Sequence, residues 1–205
     1  MKPNNVMLNW SHDENGRFRI ERVVLSDLDC ALKLKGAKLL DHRIGNVMWR
    51  SPEGQMGKGI GKPSEVFSFG LVVSELCSGK KATAKRCLQC LYTITGVETL
   101  HADFEQLKKE GTEPEQVILY KLLSIFGPLP PELITHVDDE YWGELLTALS
   151  QAVADEDPSG LFEQWEENVF PNLDPETKRV VSRMTNLDPK KRATMDQILE
   201  DPWWK

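Results

Sequence analysis

The stretch Ser64–Ser78, SEVFSFGLVVSELCS, constrains the fold more than any other part of the chain. It follows Gly61-Lys62-Pro63 and stops at Gly79, and wound as a helix it is apolar on nearly every face. Such a helix is stable only when other elements surround it, so it belongs at the centre of a core, with Ser64 read as its N-cap. A membrane span is the competing use of an apolar helix. Ser and Glu interrupt this stretch, and no apolar run reaches the roughly 18 residues a span needs. At 205 residues the chain is long enough to build the surrounding layer.

Helix signals supply that layer. Thr112-Glu-Pro-Glu115 reads as a capping box before EQVILYKLLSIFG, and Asp174-Pro175 as a cap and first turn before PETKRVVSRM. Thr194-Met-Asp-Gln197 repeats the capping-box pattern before MDQILED. A Gly/Pro break at FGPLPPEL and an acidic, looser stretch at ADEDPSG separate the helices, and 80–111 reads as a weaker helical insertion. The N-terminal part differs. VMLNW (6–10) and RIERVVLS (19–26) flank SHDENGRF, whose Asn15-Gly16 signals a tight turn, so a β-hairpin is expected. From Asp27 to about residue 53 no period is visible, which predicts a long functional loop.

Charge and cysteine usage narrow the function. Thirty-two Asp and Glu against 25 Lys and Arg give a formal net charge of −7, which argues against broad binding to nucleic acid or anionic membranes. The N-terminus lacks the order of a secretion signal, and four Cys do not make a disulfide framework, so an intracellular, cytoplasmic or nuclear, protein is expected. GKGIGKPS at 57–64 fails the phosphate-loop pattern at Met56 and Pro63. Cys87-x-x-Cys90 has no second pair and reads as a helix face, and Cys30 as a packed thiol. The basic clusters at 80–86 and 190–192 read as solvated surface. Trp142, Trp165, Trp203 and Trp204 read as core and lobe-edge packing, since they lack interleaved basic residues.

The chemistry concentrates at the base of the hairpin. An Asn before its first strand and an Asp after its second, Asn5 and Asp27, could hold a divalent cation, because Mg²⁺ accepts few protein oxygens and completes its shell with water and phosphate. Their context strengthens the pattern. Lys2-Pro3-Asn4-Asn5 resembles the K-P-x-N of the catalytic loop of eukaryotic protein kinases, Asp27-Leu28-Asp29 their D-F-G, and Gly45–Glu53 (GNVMWRSPE) the G-T-x-x-Y-x-A-P-E end of their activation segment. KPSEVFSFG is similar to the start of the family's central helix, and NLDPKKRATMDQILEDPWW to its closing D-P-x-x-R-x-T…H-P-W segment. EQVILYKLLSIFGPLPPEL resembles cyclin-dependent and MAP-kinase relatives. The first five of these motifs, in family order, span the chain apart from the insertion at 80–111.

The resemblance implies a mainly α, kinase-like α+β fold: the helical C-terminal lobe, with a small β-hairpin at its N-terminal edge. It implies a partial catalytic loop and hairpin at 1–26, an activation segment at 27–53, the central helix at 64–78, an insertion at 80–111 and terminal helices at 112–205. It implies ATP and Mg as cofactors, Lys2 on the transferred phosphate, Asn5 and Asp27 on the metal, and a structural ion pair of Glu53 with Arg192. Glu65 stands for the Asp that hydrogen-bonds the catalytic loop, Asn46 for the usual Thr, and Asp29 for the Gly of D-F-G, where a permissive backbone is lost. The position two residues before Lys2, which carries the family's catalytic Asp, is not in the chain, nor is the N-terminal lobe. Such a start also fits a frame that continues upstream. The implied function is phosphotransfer to protein Ser/Thr, impaired in this chain alone; the alternative is a non-catalytic, pseudokinase-like interaction module. The implied partner is a protein substrate or a protein covering apolar surface around residues 1–10 and 23–29. No Ser, Thr or Tyr lies in 28–50, which argues against activation by phosphorylation there.

Overall fold

The hairpin forms where alternating β-branched and apolar residues flank a turn with a built-in acceptor. In the computed structural model, which describes residues 1–29, 31–72, 100, 102–155, 160–170 and 173–204, strand β1 (Val6–His12) pairs antiparallel with β2 (Phe18–Leu25). The Asp13 carboxylate accepts the backbone N–H groups of Asn15 and Arg17 at 2.9 and 2.8 Å, and Gly16 takes the left-handed φ of 72° that the turn demands. Pairing runs from Val6 opposite Leu25 to His12 opposite Phe18, with an irregularity between Asn9 and Trp10. The sheet has two strands among the described residues.

The described residues of 26–46 follow without helix or strand, as expected of the long loop, apart from an isolated bridge in which Leu40 and Ile60 exchange backbone hydrogen bonds at 2.9 Å. A 3₁₀ turn (Val47–Trp49) leads into helix α1 (Pro52–Met56), capped by the Ser51 hydroxyl, which accepts the N–H of Gly54. The chain continues through α2 (Lys62–Val72), α3 (Phe104–Glu110), α4 (Pro114–Phe126), α5 (Pro131–Val137) and α6 (Glu140–Ala154). Then come α7 (Pro175–Met184), α8 (Met195–Leu199) and a closing 3₁₀ turn (Pro202–Trp204).

Helix α2 is the surrounded helix of the sequence reading. Lys62 and Glu65 are exposed, whereas Ser64, Val66, Phe67, Ser68, Gly70 and Leu71 are buried. Phe67, with no exposed surface, meets Phe126 edge-on at 5.8 Å, and Phe126 meets Phe162 at 6.0 Å. Burying a side chain of this size contributes about 2–3 kcal/mol. Around it α2 packs on α7, α4 on α6 and α1, and α5 on α6. Ile118, Leu119, Leu122, Leu133, Leu146 and Ile198 complete the core. Trp142 and Trp203 are buried in this core, and Trp165 and Trp204 are half-buried at its edge.

Two caps differ from expectation. Helix α2 begins at Lys62, so Ser64 lies inside its first turn and spends its hydroxyl on the Ser51 hydroxyl, 2.6 Å away. Helix α4 is capped at Glu113 without a side-chain hydrogen bond and has Pro114 in its first turn, so Thr112 is not part of a capping box. Asp174 and Thr194 do cap α7 and α8, the latter with Gln197 in a complete capping box. Within the expected insertion, α3 is a helix capped by Asp103. Residues 73–78, the 80–86 cluster, Cys87, Cys90 and Cys30 lie outside the described residues. The architecture is mainly α with a two-stranded antiparallel sheet, and no described helix is long and apolar enough to cross a membrane.

Candidate functional site

The register of the hairpin builds the site. With Val6 opposite Leu25, residues just before β1 and just after β2 must lie side by side. A 3₁₀ turn (Pro3–Asn5) precedes β1, closed by the Asn5 N–H donating to Lys2 O at 3.1 Å. Ser26 ties the other side to it. Its N–H and hydroxyl both donate to Asn5 O, at 2.8 and 3.2 Å. Lys2 and Asp27 are thereby brought together, with Nζ 3.4 Å from the Asp27 carboxylate.

Asp27 holds a φ of 56°, one of two positive values among the described non-glycine residues. A left-handed residue with a side chain costs about 1–2 kcal/mol, less for Asp than for most. The strain anticipated at Asp29, where the pattern has Gly, falls instead on Asp27. Asp27 stays 54% exposed and Lys2 36%, so water screens the pair and holds its worth to about 1 kcal/mol or less. Glu65 reaches the same corner from the start of α2, its carboxylate 3.1 Å from the amino group of Met1, beside Lys2.

A second set of contacts fixes the chain from Gly45 to Glu53. Glu53 and Arg192 form a bidentate pair, 2.7 and 3.2 Å, with side chains 1% and 0% exposed. Arg192 also donates to Asn186 O and Pro63 O and lies 4.9 Å over the Phe67 ring. Arg192 is thus anchored in the core, unlike its exposed neighbours Lys190 and Lys191.

Sequence reasoning missed a further cluster. Arg50 donates to Ile44 O, to Gly45 O and to Glu115, the last at 3.1 Å. Arg43 reaches the same Glu115 oxygen at 3.3 Å and lies 5.6 Å over the Trp142 ring. Burial is the largest influence on the Arg50 guanidinium and pulls its pKa below the ordinary value, while the hydrogen bond to Glu115 opposes this. The available signal was Arg50 itself, a cation placed directly before Ser51-Pro52-Glu53. Reading Glu115 as part of a capping box hid its partner.

No curated protein matches the chain. The family model described as protein kinase domain matches residues 1–204, nearly the whole length. Hairpin, loop, buried acid–arginine pair and surrounded helix thus sit within one continuous match, and the chain belongs to the protein kinase domain family.

Proposed function

We propose that the chain is the large helical lobe of a protein kinase, serving ATP-dependent phosphotransfer to protein Ser/Thr hydroxyls. In this reading 1–26 is a partial catalytic loop with its hairpin, 27–53 the activation segment, 64–78 the central helix, 80–111 an insertion and 112–205 the terminal helices. The observation that carries it is the meeting of Lys2 and Asp27 across the hairpin base, where the backbone carbonyl of Asn5 accepts from Ser26.

The donor chemistry suits Mg²⁺: an amide oxygen and an exposed carboxylate are hard ligands, and a half-solvated corner leaves room for waters and phosphate oxygens. Asn5 and Asp27 would hold the ion, and Lys2 would exchange Asp27 for a phosphate oxygen. Mg²⁺ supplies neutralisation of the charge on the phosphate oxygens. Positioning and charge neutralisation account for most of the barrier lowering in phosphoryl transfer, so a half-solvated corner with one cation and two oxygen donors is a fitting arrangement.

Thermal unfolding with and without millimolar Mg-ATP tests this, because a ligand that binds only the native state raises its stability by mass action. A raised midpoint is expected, and Asp27→Asn is expected to remove the rise. An unchanged midpoint in the wild-type chain overturns nucleotide binding. A second reading, a non-catalytic interaction module, is favoured by one observation. Met7, Trp10, Val23, Leu25 and Leu28 of the hairpin region are 48–63% exposed, apolar surface on both faces of the ribbon that suits being covered by protein.

A further inference from the structure

Kinase loops of this kind are commonly ordered by phosphorylation, through pairs of phosphate with arginine. Here no Ser, Thr or Tyr lies between residues 28 and 50, yet two arginines converge on one anion. The anion is Glu115, on the first turn of α4, with its side chain 11% exposed. Arg50 bridges it to the carbonyls of Ile44 and Gly45, and Arg43 bridges it to the face of Trp142 on α6. The arginine stem is itself wedged: a Cβ at Gly57, which has a φ of 71°, would sit 3.0 Å from Arg43 Cγ.

We propose that Glu115 is a built-in counter-ion that holds residues 43–51 in one conformation without covalent modification. A carboxylate shared by two guanidiniums does electrostatically what a phosphate between arginines does: the hydrogen bond from Arg50 and the ion pair with Arg43 each remove a conformational freedom of the loop. Glu115 is a positioning residue in this scheme, acting through Arg43 and Arg50. The consequence, a segment permanently set for a protein substrate, rests on the kinase reading of 27–53; the clamp itself does not.

Hydrogen exchange of dephosphorylated protein, its mass verified, reads the clamp directly. Within 43–50 the Met48 and Trp49 amides, whose N–H groups donate to Asn46, are expected to be protected in that protein. Glu115→Gln, which keeps the shape and removes the charge, is expected to speed their exchange about tenfold or more, with α2 and α7 amides unchanged. Arg43 is 37% exposed, so Arg43→Gln spares the core. It is expected to give a smaller acceleration at the same amides, and Arg43→Lys to restore part of the protection. Unchanged exchange at 43–50 in both Gln variants overturns the proposal, as does protection that appears only after phosphorylation elsewhere in the chain. Should Glu115→Gln unfold the protein, Arg43→Gln decides. No nucleotide enters the experiment, so a failure of ATP binding leaves its outcome untouched.

Discussion

At the scale of residues, stability rests on charges that are either sealed in or half open, and the two kinds respond differently. The Glu53–Arg192 pair is sealed, both side chains being at most 1% exposed. Truncating either partner strands the other charge in the core, so Glu53→Ala or Arg192→Ala is expected to cost about 3–5 kcal/mol in denaturant unfolding. Arg192→Lys is expected to recover little, because one ammonium cannot reach Glu53, Asn186 O and Pro63 O together. Asp201 is the half-open case. Its carboxylate is buried, while the guanidinium of Arg179, which holds it by two hydrogen bonds, and that of Arg183 are 38% and 37% exposed. Hydrogen bonding to Arg179 is the main cause that lowers its pKa from 3.8 to about 2. A depressed carboxyl pKa means stability that is present above pH 3.8 and drains away as pH falls towards 2. After allowance for solvent screening the loss is about 1 kcal/mol. Asp201→Asn is expected to flatten that part of the acid-unfolding curve.

At the scale of elements, the legible features were those whose cause is local. The hairpin could be read because Asn15-Gly16 and the alternating strands specify it without help from the rest of the chain. The caps at Asp174 and Thr194 could be read because their partners are three residues away. Ser64 and Glu115 were misplaced for the opposite reason. Each is a plausible cap by spacing, but each has a tertiary partner, Ser51 at 13 residues' separation and Arg50 at 65, which no local pattern records. Lys2, Asn5 and Asp27 could be singled out as candidates because motif order stands in for that missing information. A further long-range feature is Gly70. It looks like a weak point in α2 but faces the C-terminal end of α7 at close range: a Cβ there would lie 2.9 Å from Met184 Cβ and from Thr185 Cγ2. Neither contact is with the far end of a flexible chain. Gly70→Ala is therefore expected to destabilise by about 1–3 kcal/mol, against the small gain that Ala brings to a free helix. A thermal midpoint equal to or above that of the wild type would show that α2 and α7 can separate at no cost.

At the scale of the whole molecule, the chain is two things joined: a tightly built helical body and a hairpin that shares little of its core. The largest fully buried side chains lie between Glu53 and Ile198, whereas Met7, Trp10, Val23 and Leu25 of the strands are about half exposed. An isolated two-stranded sheet is marginal in water, so the hairpin borrows its order from the Ser26–Asn5 and Lys2–Asp27 ties at its base. Exposed apolar groups at its middle add little to the folded state but much to self-association. The double variant Met7→Glu, Val23→Thr separates these effects. It keeps β-branching at 23 and makes the net charge more negative than −7. Because both positions are exposed, its thermal midpoint is expected to stay within about 2 °C of the wild type. Its self-association in sedimentation velocity is expected to fall. A midpoint that drops well beyond that margin would mean that Met7 and Val23 are covered in solution, and the hairpin would then have to be counted as part of a larger packed unit.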